Sequence, residues 1–517
     1  MAPFLMAYDR KHAEMTDHDS SSAELRGRIR AAFGRHATAP AINDGADSWT
    51  YSEVRAVVSE YTDLLRESRG PIGLVSHRDP LTSMLYLAAV LEGRTVVPIS
   101  PTWSATQTSA ALHQVGVTEV LRVRTNGFAG RLDGWSAETV KGVDRYRASR
   151  PTVSPEPWIY VLHTSGSTGV PKSVPVSAGH LMSFLDYQLP RTDLGPGSRL
   201  SSTFDLAFDL AVFDLFGAVL TGATLHLPRG AEHVTSAEYV RRRGLTHWFS
   251  VPSVISSAAR LKQLTPGAMP TLRVSQFCGE PLTWKQAAEW KLAAPGSIVE
   301  NLYGPTELAL ACASYRLPRD SAEWPQTSNA TVPIGKIFPH LESRIGSARH
   351  AGELLVRGPQ RFDGYLRSAD NATAFEGAAD ADLARPLPAD DWYRTGDVVS
   401  PEDGELVFRG RVDRQVKVNG ARVELGEVEF AFLRLPGVRH ASAFVETTPL
   451  RTSLAVVVSG DAEDHEQTER AAADALPSYA RPRRVEWIED MPLNGNGKVD
   501  HRAVAQLQAR APEAGPE

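Results

Sequence analysis

The run Thr164-Ser165-Gly166-Ser167-Thr168-Gly169-Val170-Pro171-Lys172 sets four hydroxyl residues, two glycines and a lysine directly after an apolar stretch ending at His163. Glycines let a backbone fold tightly, so several N–H groups converge, and the hydroxyls and the ammonium add donors. That is the equipment a phosphate chain requires. A polar hairpin would explain two glycines; it does not explain an unbroken hydroxyl-glycine run closed by Pro-Lys. The P-loop of ordinary NTPases is excluded. Counted from Gly166, that pattern needs glycine at position 171, where this chain has Pro171. Proline there has no N–H and stiffens the loop rather than opening a helix.

Four further runs have types suited to the same chemistry. In Asn301-Leu302-Tyr303-Gly304-Pro305-Thr306-Glu307, Asn301 and Tyr303 suit a planar base, and Thr306 and Glu307 suit phosphate and its metal. A carboxylate beside triphosphate oxygens is a natural Mg²⁺ ligand. Trp392-Tyr393-Arg394-Thr395-Gly396-Asp397 offers an aspartate that could accept both hydroxyls of a ribose. Arg409 to Lys417 continues to Glu424-Leu425-Gly426-Glu427, and Pro492 to Asp500 (PLNGNGKVD) presents one lysine on a Gly-rich loop. Taken singly, these are a turn, a solvated aspartate and a hairpin with an exposed lysine.

The elements that must position these runs alternate along the chain. From Val54, apolar residues recur at Val57, Val58, Tyr61, Leu64 and Leu65, one face of a helix that Ser52 would cap and Gly70 would end. The short apolar runs 71–75, 94–99 and 158–162 read as buried strands. Strands alternating with helices predict parallel sheets and an α/β architecture. Near residue 400 short, Gly-punctuated strand-like segments take over, which predicts a smaller α+β domain. The expected division is an N-terminal arm over 1–24, a large core over 25–411 and a small domain over 412–517. Pro318 to Pro333 reads as a surface loop.

A chain of 517 residues exceeds one ordinary core. Its net charge of -6 gives no reason to expect a nucleic-acid or membrane-surface partner. Two cysteines, Cys278 and Cys312, exclude a disulfide framework and a Cys-rich zinc site, and fit a reducing cytoplasm. Asp9, Arg10 and Lys11 interrupt the N-terminus too early for a signal peptide, and no run of about 18 apolar residues occurs.

In this order and spacing the five runs resemble the adenylate-forming superfamily, which holds nonribosomal-peptide adenylation domains, acyl-CoA synthetases and luciferases. The resemblance extends from Ser48-Trp49-Thr50-Tyr51 to Lys498. RVDRQVKVNGARVELGEVE (411–429), PLNGNGKVD and FDLAVFD (208–214) look like the stand-alone amino-acid adenylation branch. The resemblance implies a large domain of mixed and parallel sheets flanked by helices, with a small mobile C-terminal α+β domain. It implies that an amino-acid carboxylate attacks the α-phosphorus of Mg²⁺-ATP and releases pyrophosphate. Lys498 would bridge the carboxylate and the α-phosphate, and Thr164 to Lys172 would hold the β- and γ-phosphates. Tyr303 would stack on adenine, Asp397 and Arg411 would hold the ribose, and Glu307 would bind Mg²⁺. Gly279, Glu280, Asn301, Gly304 and Thr306 would complete the nucleotide site. The small domain would then turn about a hinge at Asp413, withdraw Lys498 and admit the phosphopantetheine thiol of a separate carrier protein. Some family members also use a small MbtH-like helper.

Asp209 stands where such domains bind the substrate ammonium, and Asp205 is a rival if the amine sits on a β carbon. By position, the side-chain pocket would comprise Leu210, Phe213, Phe249, Gln276, Cys278, Leu302, Leu310 and Ala311, which suits a small or medium apolar side chain. Ser173, His163 and Ala211 depart from the family pattern without removing a charged group. An acyl- or aryl-acid:CoA ligase is the alternative within the superfamily, and a catalytically silent nucleotide-binding scaffold is the alternative outside catalysis. Only 19 residues follow Lys498 and no Ser-centred attachment motif is present, so any carrier is expected to be a separate protein.

Overall fold

The computed structural model describes residues 20–123, 132, 135–148, 158–164, 171–346, 351–376, 386–448, 451–493 and 499–510. Two large sheets form the body of the molecule. In one, the parallel strands Ile298–Tyr303, Val274–Phe277, His247–Ser250, Arg199–Ser201, Thr224–His226 and Pro40–Asn43 lie side by side. Antiparallel strands flank them, Ala313–Arg316 and Lys336–Ile337 at one edge and Ser48–Thr50 at the other. The other sheet has Glu119–Val123, Ile72–Val75, Val96–Ile99 and Trp158–Thr164 in parallel. Most inner strands are apolar or wholly buried, as strands covered on both faces must be.

The helices Pro80–Leu91 and Asp209–Thr221 are almost wholly buried. The first packs on the seven-stranded sheet, the second on the nine-stranded one, and Tyr86 meets Phe216 edge-on where they touch. A helix apolar on every side needs such a place between layers. An antiparallel sheet of four strands, Glu342–Ile345, Gly352–Arg357, Tyr393–Glu402 and Glu405–Arg411, completes the large domain. Asp397 therefore sits within a strand, beside a register shift at Val398/Val399.

The smaller C-terminal domain has its own core of Val418, Val423, Val428, Phe432, Leu454, Val456 and Val458. It holds the hairpin Gln415–Val418/Ala421–Glu424 and a sheet of Val438–Thr448, Arg451–Gly460 and Arg484–Trp487. The helices Leu425–Leu433, His465–Asp474 and His501–Arg510 accompany them. Among the described residues, no helix is long and apolar enough to cross a membrane.

Two local expectations are corrected. The helix expected from Val54 spans Tyr51–Leu65, and Thr50, not Ser52, caps it. Thr50 and Glu53 bond each other's backbone N–H groups, a reciprocal arrangement Ser52 cannot make. The segment read as an arm is helical from residue 20, and this helix (20–35) buries Leu25, Ile29 and Phe33 in the main core. The loop expected over 318–333 contains one short turn, Ser321–Glu323, and an isolated bridge at Thr331.

Two buried histidines make the fold acid-sensitive. Burial depresses His226 and His247 from 6.5 to about 4. His247 is held neutral between the Thr192 carbonyl and the Thr246 hydroxyl, each at 2.8 Å. Unfolding exposes both rings to protonation at ordinary values, so stability is expected to fall as pH drops from about 6.5 to about 4. Thermal melts across this window should show Tm declining by several degrees, with a shallower decline in His247→Gln. A flat profile would contradict the neutral, buried state.

Candidate active site

The site gathers at the carboxyl ends of the parallel strands, where open α/β sheets place their ligands. Cys278, Gly279 and Glu280 follow the strand Val274–Phe277, and Gly304 to Glu307 follow Ile298–Tyr303. Thr164 ends Trp158–Thr164 and pairs across an antiparallel register with Lys172. The two described ends of the expected phosphate-binding run, Thr164 and Lys172, thus face each other across paired strands. Ser165, Gly166, Ser167, Thr168 and Gly169 lie outside the described residues. Asp209 opens the helix Asp209–Thr221, whose N-terminus carries partial positive charge.

Three carboxylates organise the center. Asp397 accepts a hydrogen bond from the Tyr303 hydroxyl at 2.6 Å and an ion pair from Arg411. Arg411 also reaches Asp413 at 2.7 and 3.0 Å, so it ties the strand carboxylate to the expected hinge. Burial raises the Asp413 carboxyl, but the hydrogen bonds from Arg411 outweigh it and leave the group below its ordinary value.

Glu307 is fully buried in the turn Thr306–Leu308. It accepts the Tyr365 hydroxyl at 2.6 Å and Arg422 Nη1 at 3.1 and 3.2 Å on its two oxygens. Lys172 stands 5.2 Å over the Tyr365 ring. Burial would raise the Glu307 carboxyl, but Arg422 and Tyr365 outweigh it and hold it below the ordinary carboxylate value. The group is a fixed anion in an enclosed place.

Asp209 is partly buried, and the exposure it keeps faces the cavity. The Thr306 hydroxyl donates to its side chain at 2.7 Å. Burial pushes its carboxyl up, against opposing pulls from Thr306 and Lys417. Asp205 lies differently. It accepts from Ser76 Oγ and the Ala207 N–H, and it lines a neighboring cavity across Phe208 and Leu210 rather than the one Asp209 faces.

Of the eight expected pocket residues, Leu210, Cys278 and Leu310 line the Asp209 cavity. Gln276 does not. It faces Glu300 across the parallel register and donates its amide to that buried carboxylate at 2.8 Å. Phe213 and Phe249 pack edge-on against each other, centroids 5.4 Å apart, within the core behind this wall. Leu302 lines a second cavity of about 280 Å³ with Asn301, Tyr303, Gly279 and Glu280. Ala311 backs Gly304, where a Cβ would lie 2.5 Å from the Ala311 Cα, so only glycine lets these two segments approach. Asn301 is not free to bracket a base with its amide, which donates to the Pro333 carbonyl at 2.9 Å.

Sequence reasoning left the hairpin Gln415–Val418/Ala421–Glu424 without a role, yet it enters the site. Asn419 and Gly420 both have positive φ, 51° and 82°, the two-residue turn that matches strand twist. Val416, Val418 and Val423 pack toward the small-domain core, while Lys417 and Arg422, paired across the register, face the large domain. The alternation in QVKVNGARVE was the available signal. The Gly420 N–H donates to Glu280 at 2.7 Å, and a Cβ on Gly420 would sit 2.5 Å from Val251 Cγ1. Lys498 lies outside the described residues. Its flanks, Leu493 and Val499, bridge each other, and Val499 packs against the small domain's own Met491, Val457 and Val504.

The comparisons agree with this geometry. The model of the AMP-binding enzyme family matches residues 29–366, and that of the AMP-binding enzyme C-terminal domain matches residues 427–498. The chain is 31% identical to an L-proline--[L-prolyl-carrier protein] ligase of Streptomyces coelicolor, over 92% of this chain and 95% of that protein. It is 27% identical to a D-alanine--D-alanyl carrier protein ligase of Staphylococcus epidermidis, over 91% and 96%. Among solved structures, the Vibrio cholerae adenylation domain AlmE, in complex with glycyl-adenosine-5'-phosphate, superposes with a TM-score of 0.78 at 25% identity, covering 94% of this chain and 98% of that one. The chain belongs to the AMP-binding enzyme family and is an ATP-dependent, AMP-forming ligase.

Proposed function

We propose that this chain activates a small apolar amino acid as its aminoacyl-AMP and then passes the aminoacyl group to the thiol of a carrier protein. One observation carries the substrate class: Asp209, a carboxylate enclosed in a cavity beside the apolar walls Leu210, Cys278 and Leu310. An enclosed carboxylate that accepts the Thr306 hydroxyl is complementary to an ammonium group, and the three neighbors leave room for a side chain without charge. The relatives named for proline, D-alanine and glycine support a small substrate. Asp205, on the far side of Phe208 and Leu210, is already engaged by Ser76 and serves the loop.

In the first step the amino-acid carboxylate oxygen bonds to the α-phosphorus of ATP, and the bond from that phosphorus to the bridging oxygen breaks, releasing pyrophosphate. The cavity beside Asn301 and Tyr303 suits the adenosine, with Asp397 and Arg411 at its ribose edge. Lys172 and the run from Thr164 suit the β- and γ-phosphates, and Lys498 the carboxylate and α-phosphate. Glu307, a fixed anion beside Lys172, fits a Mg²⁺ ion, which when bound would neutralise phosphate charge; Mg²⁺ commonly takes one or two carboxylates plus substrate phosphates. Among the described residues no group of three or more His, Cys, Asp or Glu side chains converges.

In the second step the carrier thiol attacks the acyl carbon, and the acyl–oxygen bond to AMP breaks. The hairpin carrying Lys417, Gly420 and Arg422 occupies the site, while the flanks of Lys498 rest on the small domain. This arrangement fits the second step, with a domain boundary at 411/412 and a hinge at Asp413. A cavity of about 350 Å³ beside Gly420, Val251 and Phe208 offers the thiol arm a path.

Exchange of labelled pyrophosphate into ATP, run across α- and β-amino acids, aryl acids and fatty acids, tests the reading. One small amino acid should drive exchange, and Lys498→Ala should abolish it. Asp209→Asn should lower kcat/KM for that amino acid by roughly 30- to 5000-fold, the effect of removing about 2–5 kcal/mol of an enclosed charge pair. Exchange driven by an aryl or fatty acid alone would contradict it. Because burial raises the Asp209 carboxyl, KM for the amino acid should rise on acidification at a higher pH than an ordinary aspartate would give. A KM constant down to the ordinary carboxylate range would count against the pair. Gly420→Val should slow transfer to the carrier by at least roughly tenfold more than it slows exchange, since the hairpin cannot seat against Val251. Equal losses in both steps would separate the hairpin from the second step.

A further inference from the structure

Glu307 and Arg422 belong to different domains, and their contact engages both oxygens of the carboxylate. Arg422 Nη1 meets both oxygens, at 3.1 and 3.2 Å, and Tyr365 donates to one of them at 2.6 Å. The guanidinium is aimed by its own hairpin: Arg422 Nε donates to Gln415 at 2.7 Å, and the Gln415 amide bonds Glu424. Glu307 is fully buried and Arg422 nearly so, its side chain 15% exposed. Lys172 is the next cation, over the Tyr365 ring.

We propose that Arg422 and the divalent cation take turns on Glu307, so that the small domain seats its hairpin only after the metal and pyrophosphate have left. This rests on the reading of Glu307 as the metal ligand. A buried carboxylate whose two oxygens already face a guanidinium would have to share them between that guanidinium and a metal ion, two cations on one anion. A metal and Arg422 together beside Lys172 would crowd three positive groups around one anion. Once pyrophosphate leaves, an uncompensated Glu307 is costly in a buried site, and Arg422 supplies the missing charge. Departure of one cation thus draws in the other, and with it Gly420 and Lys417. Arg422 is a positioning residue: it carries the order of the two steps without touching reacting atoms.

The coupling is reciprocal by thermodynamic necessity. If the seated hairpin excludes the metal-pyrophosphate product, that product must unseat the hairpin by the same factor. Calorimetry of Mg²⁺ with inorganic pyrophosphate on the nucleotide-free full chain measures one side. Arg422→Gln should bind this pair more tightly than wild type, by roughly 5- to 150-fold, the usual span of such couplings. Gly420→Val unseats the hairpin through a different contact with Arg422 intact, and should also bind more tightly. Spin labels at Lys285→Cys in the large domain and Glu466→Cys in the small one measure the other side, since both positions are exposed and the native cysteines are buried. Adding Mg²⁺ and pyrophosphate should shift the wild-type interdomain distance, and Arg422→Gln should show the shifted distance without them. Equal affinities in wild type and both variants, with a distance that ignores the ligands, would overturn the proposal. Glu307→Gln separates the two layers. If it weakens binding while the hairpin variants change nothing, Glu307 is the metal ligand and only the competition fails. If it binds as tightly as wild type, the metal reading fails and the competition with it.

Discussion

An enclosed carboxylate must find a cation, and this site is built from that constraint applied repeatedly. Asp209 lies beside the Thr306 hydroxyl at the start of a helix, and the amine of the proposed substrate would be its partner. Glu307 is buried outright and is met by Arg422. Asp397 is met by Arg411, which spans on to Asp413. Charges removed from water are expensive unless paired, and much of the pairing here comes from residues 411–422. The small domain is therefore more than a cover. Through Arg422 it supplies the guanidinium that meets Glu307, while Arg411 meets Asp397 within the large domain.

That view explains why the same stretch carries so many roles. Residues 411–424 hold the expected hinge, a tight turn at Asn419-Gly420 and two cations on one face of a hairpin, while the other face packs into the small-domain core. A rigid hairpin delivers charge to a fixed place. Gly420 has no side chain to collide with Val251, and its N–H lands on Glu280. Glu280, expected to serve the nucleotide, here receives N–H groups from both domains, Ser253 at 2.9 Å and Gly420 at 2.7 Å. A group that serves one partner in one orientation and another in the next suits a two-step enzyme whose chemistry is partitioned by domain movement.

The α/β class was legible in the sequence because it is a local signal, and so were the runs proposed to hold the nucleotide. Apolar runs set the strands, and Tyr303, Glu307 and Asp397 stand in short runs with few other uses. The sequence was less able to say which way a side chain turns. Gln276 reads as a pocket residue until its neighbor across the sheet proves to be the buried Glu300. Phe213 and Phe249 are apolar and were expected in the pocket by position, yet they pack into the core. The helix start moved from Ser52 to Thr50 because reciprocal capping with Glu53 outweighs a lone hydroxyl. Arg422 was invisible as a site residue because its contact with Glu307 spans 115 positions and two domains. Nothing in local pattern encodes how one domain docks on another.

The central claim is that the Asp209 carboxylate recognises the substrate amine. Calorimetric binding of a nonhydrolysable aminoacyl-adenylate analogue, compared with the same molecule lacking only its amino group, tests it most directly. The account predicts that the desamino analogue binds wild type more weakly by roughly 30- to 5000-fold, and that Asp209→Asn removes most of this difference. Equal binding of the two analogues to wild type would contradict it, and would move recognition of the acid to other groups of the site.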